Sequence, residues 1–104
     1  MTRVAGTYSL EWDPEAEDEL EELRPFDSRS IPVAIRELRY EAEVVTRNRK
    51  PLKEPIRSIP RATWELRVGD HRVLYDVRKH RIVRVLRVIF KGPADDRRGR
   101  REWP

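Results

Sequence analysis

Residues Trp64 to Gly92 read WELRVGDHRVLYDVRKHRIVRVLRVIFKG. Trp64, Leu66 and Val68 alternate with Glu65 and Arg67, Gly69-Asp70 supplies a turn, and Val73, Tyr75 and Val77 alternate with Arg72, Asp76 and Arg78. Side chains on a strand point to opposite faces at a period of two, so this pattern predicts an antiparallel hairpin. Lys79-His80-Arg81 turns the chain again into Ile82 to Phe90, a longer run with both faces largely apolar, as an inner strand requires. The result is a three-stranded meander with an arginine or lysine threaded through nearly every apolar pair.

Before it, Tyr8, Ser9, Leu10, Glu11 and Trp12 alternate and stop at Asp13-Pro14, which predicts a short strand. Asp13 is a good helix N-cap with Pro14 at the first helical position. Ala16, Leu20 and Leu23 recur at helical spacing until Pro25 forbids continuation, giving a helix over Pro14 to Arg24. A second helix starts near Asp27 to Ser30 and carries Ile31, Ile35, Leu38, Ala42 and Val45 on one stripe. Residues 46–61, TRNRKPLKEPIRSIPR, hold three prolines, six basic residues and one acid without sustained periodicity, and read as an extended connector. Ala94 to Pro104, ADDRRGRREWP, reads as a basic tail. The expectation is one α+β domain over 1–104: an N-terminal strand, a two-helix hairpin, then the meander.

The chain of 104 residues is 40% charged and 38% hydrophobic, enough apolar content at regular periods to fold around one small core. Charge is unevenly divided. Residues 1–46 hold five arginines against twelve acids, net −7, and residues 47–104 hold eighteen cations against seven acids, net +11. A basic surface for a polyanion and an acidic region of opposite sign follow as expectations. The absence of cysteine excludes disulfides and thiolate chemistry. No apolar run approaches the length of a membrane span and no signal-peptide core begins the chain, so a soluble, cytoplasmic protein without membrane contact is expected.

Ordinary catalytic templates fail. The two histidines, His71 and His80, sit at opposite ends of one predicted strand and read as surface or strand-end residues; no metal constellation and no phosphate-binding glycine loop is present, and no cofactor is expected. What remains is cationic: Arg47, Arg49, Lys50 and Lys53 in the connector, Arg67 and Arg72 on the hairpin, and Arg87 and Lys91 on the last strand. Arginine between valines on a strand is costly unless its face is solvated or binds something. Trp64 and Tyr75 read as core aromatics, and Trp103 in the tail as a candidate for stacking on a base.

The segments PLK at Pro51 to Lys53, WELR at Trp64 to Arg67, HRVLYDV at His71 to Val77 and VLRVIFKG at Val85 to Gly92, preceded by the helix hairpin, resemble the RelE/ParE family of bacterial type II toxins over about residues 7–92. The resemblance implies a RelE-like fold, with one antiparallel sheet carrying two helices on one face, and a cognate antitoxin as partner. Of the activities the resemblance implies, the one expected first is that of the RelE branch, ribosome-dependent, metal-free mRNA cleavage with the 2′-OH attacking the adjacent phosphate; the alternatives are ParE-like, non-catalytic inhibition of DNA gyrase and an inactive member that binds only its antitoxin. Cleavage would need a base, a cation on the phosphorane and an acid. By position the resemblance assigns Arg72 to the scissile phosphate, Arg67 and Glu65 to places where RelE has lysines, with Glu65 a candidate base, and Lys91 to the acid. Lys50, Lys53, Arg49, Arg87 and Trp103 are the expected nucleic-acid contacts.

Overall fold

The computed structural model describes residues 7–91. The chain order is β1 (Ser9–Trp12), α1 (Pro14–Glu21), α2 (Asp27–Arg36), α3 (Leu38–Glu41), β2 (Arg49–Pro51), β3 (Trp64–Val68), β4 (His71–Arg78) and β5 (Ile82–Phe90). The strands form one five-stranded sheet in the order β1-β5-β4-β3-β2, with β1 parallel to β5 and every other pairing antiparallel. The expected α+β architecture is present, with β5 an inner strand between β1 and β4. No helix among the described residues is long and apolar enough to cross a membrane. The basic tail and Trp103 lie outside the described residues.

One sheet face carries the helices. Ile31, Ile35, Leu38 and Ala42 from the predicted stripe are fully buried against Leu66, Val73, Tyr75, Val83 and Val85. Each fully buried Leu or Ile side chain contributes roughly 1.5–3 kcal/mol, so this layer dominates the fold. Val45, the last residue of the predicted stripe, is 63% exposed because helical structure ends at Glu41. Pro14 occupies the first turn as expected, but Asp13 makes no side-chain cap. Its carboxylate is taken by Arg61 at 2.7 Å and Arg84 at 2.7 Å, charged donors that outcompete the helix amides.

Residues 46–61 are more than a connector. Arg49–Pro51 adds an edge strand to β3, and Leu52, Ile56, Ile59 and Ala62 then fold over the second sheet face onto Leu74, Leu86 and Ile89. The last three reach that face together because β5 is bulged: Leu74 pairs with Arg87 while Tyr75 pairs with Val85, so Leu86 is the extra residue. The 79–81 turn holds His80 at φ 64° and Arg81 at φ 58°, both in the left-handed region. Arg81 offsets that strain by bonding the chain ahead of β1: Nε donates to the Thr7 carbonyl at 3.0 Å, and the guanidinium lies 4.4 Å over the Tyr8 ring.

Tyr75 ties sheet to helices. Its ring stacks on Trp64 at 6.0 Å, and its buried hydroxyl donates to the Ala42 carbonyl at 2.6 Å. Tyr75→Phe leaves that carbonyl without this donor and is expected to cost about 1–2 kcal/mol, read as a lower urea midpoint at unchanged slope. Burial, the largest influence, also pushes the phenol well above its ordinary range. The unfolded chain therefore ionises first, and stability is unaffected below about pH 10 and falls as pH rises above it. An alkaline denaturation series should show this fall blunted in Tyr75→Phe.

Candidate functional site

The sheet face opposite the helices collects charge near the β2 edge. Register places Lys50 opposite Glu65 and Arg67 opposite Arg72, and directly paired residues project from the same side. Two guanidiniums facing each other repel. Glu65, two residues from Arg67 and diagonal to Arg72, relieves this: its Oε2 lies 3.0 Å from Arg72 Nε. Arg72 also donates from a terminal nitrogen to the His71 carbonyl at 3.1 Å, and its side chain is only 8% exposed. Lost hydration first and the Arg67 charge second lower the Arg72 pKa from its ordinary value, opposed by Glu65 and Asp70. The guanidinium stays charged throughout the range in which proteins work.

Lys50 and Arg67 are exposed, and their side chains form no ion pair with another described residue. Glu65 is thus one carboxylate among three cations. The Lys91 amide donates to the Asp70 carbonyl at 2.7 Å, which sets that residue beside the β3–β4 turn, and Lys53 is exposed in the bend after β2. The structure brings Lys50, Glu65, Arg67 and Arg72 into one cluster.

Arg87 and Arg49 do not join it. Arg87 donates from Nε and a terminal nitrogen to Glu19 Oε2, at 3.0 and 2.6 Å, and the bonded carboxylate, ahead of desolvation, keeps its pKa above the ordinary value. Arg49 is paired with the buried Leu66 on the helix face. It is 5% exposed, donates to the Val44 carbonyl at 3.2 Å and pairs with Glu41 at 3.2 Å, where a cation favours the C-terminal end of α3. Of the two expectations for His71, surface or strand-end, the second holds: it heads β4 and is 6% exposed. Phe90, its register partner, covers it edge-on at 5.3 Å. His80 sits in the turn at the far end of β4. Neither imidazole joins the cluster.

Glu19 is the residue that sequence reasoning missed. Past Val85 the sheet has no β1 beside β5, and Glu19 Oε1 accepts the Val88 amide at 2.7 Å in place of a strand. The signal was faint. Glu15 and Glu19 share a helix face, yet they are two of six acids between residues 15 and 22.

Comparison with known proteins agrees with this architecture. A family model described as the ParE toxin of the type II toxin–antitoxin system parDE matches residues 10–90. Archaeal RelE in the RelE–RelB complex of Pyrococcus horikoshii is 22% identical, covering 85% of this chain and 99% of that one at a TM-score of 0.66. The isolated E. coli RelE toxin is 19% identical over 85% of this chain and 88% of that one, at 0.62. A chain of the RelBE toxin–antitoxin complex of Mycobacterium tuberculosis is 25% identical, covering 81% of this chain and 98% of that one at 0.55. No curated protein matches. With four-fifths of the chain under one family model and an overall fold similar to that of RelE, the chain belongs to the ParE toxin family of type II toxin–antitoxin systems.

Proposed function

We propose that this toxin poisons its target by binding, as a ParE-like inhibitor of DNA gyrase, and not by cutting RNA. The observation that supports this reading is the Arg72–Glu65 pair: the cation best placed to hold a scissile phosphate is 8% exposed and already bonded to a carboxylate at 3.0 Å. Arg87, on the neighbouring strand β5, is bonded to Glu19. Phosphoryl chemistry needs donors aimed at the charge that develops, and donors spent on internal carboxylates are not so aimed. The family match to ParE points the same way. A cognate antitoxin is the proposed partner, on the strength of the family and of relatives whose structures are toxin–antitoxin complexes.

The test uses purified protein in two assays. Gyrase supercoiling is expected to be inhibited, while mRNA in a translation extract stays intact. Cuts in the ribosomal A site that vanish in Arg72→Ala would overturn the proposal.

One observation favours the second reading, an mRNA endonuclease. Glu65 beside Arg72 and near Arg67 is a carboxylate base next to cations that could steady a phosphorane, with Lys91 at the neighbouring turn as the acid. On that reading Glu65→Gln abolishes cleavage in a folded protein. On the binding reading there is no cleavage to abolish.

A further inference from the structure

The cluster of Lys50, Glu65, Arg67 and Arg72 has an unusual charge order. Three cations on neighbouring strands would form a socket for a phosphate, with Arg67 and Lys50 exposed at its rim and Arg72 buried at its base. Glu65 stands in the middle: directly opposite Lys50, two residues from Arg67 on the same strand, and 3.0 Å from Arg72 Nε. Its carboxylate offers Arg72 the same charged, planar acceptor that a phosphate or carboxylate ligand would offer. An incoming phosphate must displace that bond and then face the negative charge left beside it. We propose that Glu65 is a specificity-determining residue, an internal counterion that withholds the Lys50, Arg67 and Arg72 cluster from nucleic-acid phosphates. This deepens the binding reading of the site and rests on it only for its biological sense, since the affinity it predicts holds whatever the toxin's target.

The physical consequence is a change in salt dependence. Each phosphate neutralised by a protein cation releases counterions, with a slope of about −0.7 in log K against log salt for single strands. Glu65→Gln keeps an acceptor for Arg72 Nε and removes the charge. It is expected to raise affinity for single-stranded nucleic acid roughly fivefold at low salt and to steepen the salt slope by about one phosphate contact.

The experiment is fluorescence anisotropy of the full chain with a labelled single-stranded deoxyoligonucleotide of mixed sequence, across a salt series. The 2′-deoxy probe cannot undergo 2′-OH attack, so the result is independent of the supercoiling and mRNA-cleavage assays. Wild type and Glu65→Asp, which keeps the charge, are expected to bind weakly with shallow slopes, and Glu65→Gln to bind more tightly with a steeper one. Glu65→Thr, a neutral residue suited to a strand, is the second variant, and whichever neutral form folds by circular dichroism decides. Equal affinity and slope for wild type and a folded neutral variant would overturn the proposal. So would failure of both neutral variants to fold, because Glu65 would then be a structural counterion only.

Discussion

Arg72→Ala is expected to destabilise the toxin by about 2–3 kcal/mol, before any question of activity arises. The substitution removes the guanidinium that Glu65 Oε2 meets at 3.0 Å and leaves a carboxylate whose side chain is only 17% exposed. Breaking one half of a buried ion pair costs more than deleting both, because the surviving charge keeps its desolvation penalty without compensation. Nearby Arg67 and Lys50 recover part of that loss, which places the estimate at the low end of such effects. The pairing predicts its own control: Arg72→Leu with Glu65→Leu should return to within about 1 kcal/mol of wild type, since an apolar pair of similar volume carries no such penalty. Urea denaturation of the two single variants and the double variant gives the coupling directly. A coupling near zero would mean that the pair contributes nothing to the fold. The consequence for function is practical. A growth assay in which Arg72→Ala loses toxicity reports a lower abundance of folded toxin as readily as a lost contact, because 1–2 kcal/mol can change cellular levels several-fold.

The fold was legible where the chain follows one period at a time. β3 and β4 were readable from alternation, β5 from a run apolar on both faces, and the stripe of α2 and α3 from Ile31, Ile35 and Leu38 at helical spacing, these three now fully buried. The connector was not, because Leu52, Ile56, Ile59 and Ala62 follow neither period; they cover the sheet as a loop shaped by prolines and by the β5 bulge. The site was half legible. Alternation alone puts Glu65, Arg67 and Arg72 on one face, but whether a cation is available depends on what lies across from it in space. Arg49 shows the difference: one position from Lys50 in sequence, it points to the helix side and binds the end of α3. The charge asymmetry had the same ambiguity. An acidic first half and a basic second half suggested a polyanion platform, yet much of that opposition is satisfied within the molecule. Glu11 and Asp13 hold Arg84, Asp13 holds Arg61, Glu41 holds Arg49 and Glu19 holds Arg87. Lys50 and Arg67, which have no such partner among the described residues, are exposed at the β2 and β3 edge.

Glu19→Ala should release one of those internal pairs and cost about 2–4 kcal/mol, the other large effect expected of a single substitution. Its two oxygens accept Arg87 Nε at 3.0 Å, an Arg87 terminal nitrogen at 2.6 Å and the Val88 amide at 2.7 Å. Truncation therefore leaves a partly buried guanidinium with only the exposed Glu15, at 4.0 Å, as a counterion and exposes a strand amide on the side of β5 that has no neighbouring strand, two separate penalties from one side chain. They can be told apart. Glu19→Gln keeps an acceptor for the amide and loses the charge, so it should recover part of the stability, with faster hydrogen exchange at Val88 in the alanine variant than in the glutamine one. Arg87→Ala alone should leave the Val88 amide protected, and the Glu19→Ala, Arg87→Ala double variant should be less destabilised than the sum of the singles. Additive singles would show that the Glu19–Arg87 pair contributes no coupling between α1 and β5. The Arg87 that Glu19→Ala frees also adds a cation to the face opposite the helices. If internal counterions are what keep nucleic acid off this sheet, the variant should bind the single-stranded probe more tightly than wild type in spite of its lower stability.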